Sequence, residues 1–412
     1  MDNKIIAIIL VVIVAVAGVA VYFMMSGNGG GDDDAKGLSI VGRVNSEGSG
    51  ILLKPSEDPA DYITVTDEMP GFGAKFIYNE AEELYYVFNV ETWGGKVFAT
   101  PGAATIQHVQ LMELASLMGL KYVSYTEGSA LSKDTLYYVA GVPSFSEFTN
   151  KIKTSPLVGF IIWEAQYAVG VVEGYKGLAL TNDLFEGHTC CIIGTSNKFI
   201  KHNEDTLATF FSVYVEAVKQ VNAAIADPDS VAYSNLLAIA KNRVSMPDGM
   251  TDEEKVEAIE LALRHVTYVY ADDETGSLTD LKSDISELAE SLVAANQINK
   301  SASDLGFKSY DALADKFVQD KYMKEAISGN YVEPTVVKKI NVAAISGDIH
   351  QIALWYAIDM TMFAEKNLAV IVSGQGNGPA VYGLLSNGEA DIGFLGAPPM
   401  TIRSMNAEEI HA

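Results

Sequence analysis

Cysteine is almost missing from this chain of 412 residues: there are two, Cys190 and Cys191, and they are neighbours. Adjacent thiols close no loop, so a disulfide framework is excluded and stability has to come from packing. Basic residues are scarce as well. Lys and Arg number 28 against 53 Asp and Glu, a formal charge of −25. That balance excludes nucleic acid and anionic membrane surfaces as partners, because both require clustered positive charge. The six histidines are scattered, and the chain contains no HExxH, GxSxG, CxxC or Walker sequence. Catalysis therefore finds no motif to carry it, and neither cofactor nor metal is expected.

What the chain does have is one long apolar run. Ile5 to Met25 carries no charge and at ~1.5 Å per residue is long enough to cross a ~30 Å hydrocarbon core. Lys4 precedes it and the Gly-rich, acidic stretch Gly27 to Asp34 follows, which places the N-terminus inside and the rest of the chain outside. A cleaved signal peptide is the alternative, but its apolar core usually spans only ~7 to 15 residues. Residues 1–26 are thus expected to be a transmembrane anchor and 27–37 a flexible, self-repelling tether to an extracellular or periplasmic body.

Beyond the tether the patterns are those of an α/β protein. Ser39 to Val44, Ile51 to Lys54 and Tyr85 to Val90 are β-branched and aromatic runs bounded by Gly, Pro and Asp. Residues 55–84 look like an inserted loop or hairpin. A short strand, Lys96 to Thr100, leads into a helix opened by Pro101 and Gly102 and closed by Gly119. Leu157 to Ala165 is nearly continuous apolar sequence, as a strand buried on both faces requires. After Gly194 the chain turns helical, with Leu281, Ile285, Leu288 and Leu292 forming a core-facing stripe.

In open parallel sheets, ligands bind beyond the carboxyl ends of strands, where helix N-termini aim unpaired N–H groups at a crevice. Four strand-to-helix boundaries have the needed Gly, Pro and polar residues: Ser346, Gly347 and His350; Gly376 and Asn377; Gly396 and Ala397; and Thr100, Gly102 and Ala103. Asn45, Ser46 and Glu47 end a strand, where a plain turn is the competing reading. Gln107 and His108 follow the fourth helix mouth, and Trp163 with Glu164 ends the apolar strand. With so few cations in this set, an anion would have to be held by backbone N–H groups.

The order of these segments resembles an ABC-transporter solute-binding protein of the nitrate/sulfonate/taurine type, circularly permuted. From Ile340 the chain runs strand, helix, strand, helix, strand into ADIGFLGAPPM (Ala390 to Met400), similar to the family's opening. LSIVGRVNSEGSG (Leu38 to Gly50) resembles its next strand, and GGKVFATPGAATIQHV (Gly94 to Val109) its passage into the second lobe. Trp163 and Glu164 resemble its WEP corner with Ala165 for proline, and Ser301 to Ile327 its closing helices. The likeness implies a two-lobe, type II binding-protein fold. Residues 38–95, 192–337 and 338–412 form the first lobe, 96–191 the second, and Tyr331 to Lys339 joins the usual ends. It implies a monomeric receptor that captures a small polar or anionic solute, such as a sulfonate, nitrate or a pyrimidine, and delivers it to an ABC permease and its ATPase. A sensory receptor, or an anchored enzyme related to a thiamin-pyrimidine synthase with Cys190 and Cys191 as metal ligands, is the alternative. A truncated tandem protein is the alternative to permutation.

Overall fold

The computed structural model describes residues 37–270 and 281–410. The apolar run at 5–25 and the tether up to residue 36 lie outside the described residues, and no helix among the described residues is long and apolar enough to cross a membrane. With strands numbered in chain order, the first sheet contains β1 (Leu38–Glu47), β11 (Thr189–Ser196), β12 (Val266–Tyr268), β13 (Lys338–Ile345), β14 (Leu368–Gln375) and β15 (Ile392–Gly396), in the order β12-β1-β11-β15-β13-β14. β13 runs parallel to β14 and β15, while β11 and β1 run antiparallel to their neighbours. The second sheet contains β2 (Ser49–Leu53), β6 (Val97–Ala99), β7 (Lys121–Ser124), β8 (Thr135–Val139), β9 (Leu157–Trp163) and β10 (Lys176–Leu180), ordered β10-β2-β9-β6-β8-β7. It repeats the plan: β6 to β9 pair in parallel, and β2 and β10 close one side antiparallel.

The protein is therefore a mixed α/β structure built on two large sheets. Parallel strands lie under helices on both faces, which is why β9 and β15 are almost wholly apolar and buried. The helices that matter below are α1 (Ile106–Met118), α2 (Glu204–Ala226), α3 (Asp252–His265), α4 (Leu281–Ala294), α5 (Gly378–Ser386) and α6 (Ala397–Asn406). α2 buries Leu207, Phe210, Phe211, Tyr214, Val218 and Val221 at helical spacing. Its Phe210 stacks on Phe363 at 5.0 Å and Tyr214 meets Phe394 of β15 edge-on at 5.5 Å. Leu281, Ile285, Leu288 and Leu292 of α4 are buried together against Ala397 and Met400 of α6.

The chain passes between the sheets sooner than its sequence pattern indicates. β1 ends at Glu47 in the first sheet, and β2 begins at Ser49 in the second. Residues 49–95, assigned from sequence to the first lobe, belong with the second sheet. The return comes with β11, so Thr189, Cys190 and Cys191 are already in the first sheet. The insertion at 55–84 contributes to a small antiparallel sheet of β3 (Ile63–Thr66), β4 (Lys75–Asn79) and β5 (Leu84–Phe88). Tyr62, Phe88 and Trp93 fix it to the second lobe. Trp93 stacks on Phe98 of β6 at 5.0 Å, and its indole N–H donates to the Tyr62 carbonyl.

Gly48 carries the crossing. Its φ of +84° lies in the left-handed region, where a side chain is disfavoured, and a Cβ there would sit 2.6 Å from His350 Nε2. Its carbonyl accepts from the Glu164 backbone N–H at 2.8 Å and from His350 Nε2 at 2.9 Å, one partner from each lobe. Gly48→Ala should cost about 1–2 kcal/mol from the backbone alone and more from the clash. The expected result in urea unfolding is a lower midpoint with an unchanged slope; an unaltered midpoint would refute this account of the crossing.

Candidate ligand-binding site

Three of the four helix mouths meet. A cavity of about 460 Å³ is lined by Ala104, beside the mouth of α1, together with Pro379 and Tyr382 of α5 and Pro399, Ile402 and Arg403 of α6. The donors expected there are largely gone. At α5, Asn377 caps the Ala380 N–H and Pro379 has none. At α6, Pro398 and Pro399 delete two of the first N–H groups and Ala397 is fully buried. Gly376 and Asn377 are exposed, and Gly396 is the N-cap of α6. Ser346 is exposed, its N–H bonded to the Gln375 carbonyl, and Gly347 accepts from Ser245. Among the described residues, a cradle of backbone N–H groups for an anion is thus poorly furnished.

Most of the other expected ligand side chains are engaged by the protein itself. Thr100 is fully buried and pairs with His108 Nδ1 at 3.3 Å, as does the Tyr122 hydroxyl. Burial lowers the His108 pKa to about 4, so the ring is neutral and packs edge-on against Tyr122 and Tyr138. Gly102 accepts the Thr105 hydroxyl, and Ala103 lies half-buried in the same turn. Gln107 donates to Ser49 at 2.7 Å, which ties α1 to the start of β2. Glu164 is buried, accepting from the Ala168 N–H at 3.0 Å and pairing with His265 of α3 at 2.6 Å; the Glu164–Ala165 peptide is cis. Trp163 is half-buried against the core, and Ser46 bonds the Gly187 carbonyl. Asn45 donates to the Glu47 carbonyl at 2.9 Å. These side chains knit the crossing together instead of lining a pocket.

His350, expected at the ligand, is part of the same knot. Nδ1 faces the Asp348 carboxylate at 2.7 Å and Nε2 the Gly48 carbonyl at 2.9 Å. Both partners only accept, so both ring nitrogens carry protons. Burial pushes the pKa down, but the Asp348 charge and hydrogen bond outweigh it and raise it to about 10. Cys190 and Cys191 are buried free thiols beside this pair. Cys191, Asp348 and His350 bring ligand atoms within 4.8 Å of one another, a geometry able to hold a metal ion, although both imidazole nitrogens are already taken.

A second cavity, of about 260 Å³, opens between the lobes. Ile106, Val109, Gln110 and Glu113 of α1 form one wall, and Asp284, Ile285, Glu287 and Leu288 of α4 the other; His188 and Thr189, on the returning segment, close its end. Asp284 is held by the buried Arg43 at 3.3 Å and by the Thr189 N–H at 3.1 Å. Burial raises the carboxyl pKa of Glu113, which the Ser291 hydroxyl opposes and Glu287 reinforces. Ile285 and Leu288 were expected only as a core-facing stripe, and none of the cavity's residues was expected at a ligand. Glu113 on the otherwise apolar face Ile106, Val109 and Leu117 was the available signal. No protein-family model, curated protein or solved structure matches the chain.

Removing the Asp348 carboxylate leaves a buried imidazolium without its counter-charge. Asp348→Ala should destabilise by about 3–5 kcal/mol. The His350 contribution is complete below its unfolded pKa of ~6.5 and is lost as pH rises toward about 10. Urea titrations at pH 6 and pH 10 should show the parent losing stability across this window and the variant losing clearly less; parallel losses would contradict the ion pair.

Proposed function

We propose that this chain is the solute receptor of an ABC importer, a two-lobe, type II binding-protein-like molecule tethered outside the cell membrane that captures a small polar solute between its lobes. The observation that carries this reading is the 260 Å³ cavity between α1 of one lobe and α4 of the other. Its size lies just under the ~300–1,000 Å³ of drug-sized pockets, suited to a small metabolite. Two crossings of the chain, at Gly48 and between β10 and β11, fall close to it.

The layout supports closure as the mode of capture. α3 packs on the Gln166–Val172 helix of the second lobe, so the lobes share a core around the crossing. Away from that core Val109 of α1 joins the cluster of Leu281, Ile285 and Leu288 on α4. Parting this apolar seam exposes the cavity, and a solute that contacts both walls favours the closed state by the difference in its affinity for the two. A permease reads the closed form, and the anchor raises the receptor's effective concentration at the membrane.

Circular permutation is supported by the placement of the last strands. β13, β14 and β15, from the final quarter of the chain, supply one side of the first sheet, and β11 and β1 complete it. The sequence that resembles a family's opening thus lies beside the sequence that resembles its continuation.

The test is a thermal-shift screen of the full chain in detergent against small anions, sulfonates, pyrimidines and amines, with each solute assayed for chemical change. A ligand at ~100 times its dissociation constant adds ~2.7 kcal/mol, a rise of several degrees. The receptor reading predicts such a rise with the solute recovered intact. A stabilising solute that is converted would overturn it in favour of an enzyme.

A further inference from the structure

The cavity between α1 and α4 has a chemistry of its own, and it is not that of an anion site. Glu113 lies on one wall, Asp284 and Glu287 on the other, and the exposed Glu186 near the end. Acidic residues alone are common on a chain of this charge. A separate observation shows what the site lacks. Gln110 is 2 % exposed, lines the cavity, and has a buried Oε1 without any hydrogen-bond partner.

The identity of that free atom follows from its neighbour. His188 Nδ1 lies 2.7 Å from the Phe185 carbonyl, which can only accept, so Nδ1 carries the proton. Burial lowers the ring's pKa to about 4, the Phe185 carbonyl opposes this and Arg43 reinforces it, so the imidazole is neutral and Nε2 is an acceptor. Gln110 Nε2, 2.9 Å away, must donate to it. The amide orientation is thereby fixed, and the unbonded atom is an oxygen. A buried acceptor left bare is destabilising, and a ligand that donates to it recovers that cost.

The form of the cation is also constrained. Among the described residues, the one group of three or more acidic, His or Cys side chains close enough to converge on a metal ion is Cys191, Asp348 and His350. No three of the cavity's described carboxylates converge in that way. Between them stand apolar side chains, Ile106, Val109, Ile285 and Leu288, which suit methylene groups.

We propose that the interlobe cavity binds a small organic cation, its ammonium or guanidinium group donating to Gln110 Oε1 and the Glu113 carboxylate and its aliphatic part lying between α1 and α4. This rests on the two-lobe receptor reading and names the solute class for it.

The experiment is calorimetric titration of the full chain in detergent with 1,4-diaminobutane, with 1,4-butanediol and methanesulfonate as neutral and anionic probes. The expected result is saturable one-site binding of the diamine and none of the other two. Glu113→Gln, which keeps the shape and can still bond Ser291, and Gln110→Leu should each weaken diamine binding tenfold or more, while both variants melt cooperatively. Lys316→Gln, on the surface of the Tyr310–Phe317 helix, serves as a control and should leave binding unchanged. Diamine binding that survives both cavity substitutions would place the cation on the acidic surface and overturn the proposal. Failure of the diamine and of arginine to bind would also overturn it. Methanesulfonate binding in their place would leave the receptor reading standing, whereas failure of every solute to bind would count against both.

Discussion

The structure depends on how the chain crosses at Gly48. Two sheets of similar plan are made continuous there by Gly48, left-handed like Glu47 before it, and the Gly48 carbonyl receives one hydrogen bond from each lobe. The buried polar groups around it serve that junction. Ser46 reaches Gly187, Gln107 reaches Ser49, Glu164 reaches His265, and His350 reaches back to Gly48. Each bond joins segments distant in sequence. Each also satisfies a buried polar group that would otherwise cost free energy. The crossing is therefore a polar knot inside two apolar layers.

This explains how the sequence could be read correctly at one level and misread at another. Alternating and continuous apolar runs identify strands such as β9 and β15 because burial on both faces leaves no freedom in residue type. The stripe of α4 was legible for the same reason. Strand partners were not. β1 and β2 are separated by one glycine yet belong to different sheets, and no periodicity records that. The polar residues gathered around strand ends were identifiable as unusual, but Asn45, Ser46, Gln107, Glu164 and His350 are buried to hold the chain together. A polar residue at a strand end looks the same whether its partner is a solute or another segment of the protein.

The site shows the complementary failure. The glycine and proline residues that mark helix mouths do mark them, but proline at the first turns of α5 and α6 removes the N–H groups that would hold an anion. What remains between the lobes is acceptor-rich: carboxylates on both walls and a buried, unbonded amide oxygen on Gln110, whose amide nitrogen is held by a neutral histidine. Glu113 and Gln110 lie three residues apart on one helical face, whereas Asp284 arrives from 171 residues further along the sequence than Glu113. Only folding brings the two walls together, so a scan for motifs passes over them.

The central claim is that the two lobes move as bodies about the crossing and close on a solute. The direct measurement is the distance between spin labels placed on exposed positions of each lobe, Glu147 in the second and Asn387 in the first, recorded with and without a saturating solute. Closure predicts a broad distribution that shortens and narrows when solute is bound. A distribution that stays the same at full occupancy would contradict it, and would leave a protein of two sheets that binds without a hinge.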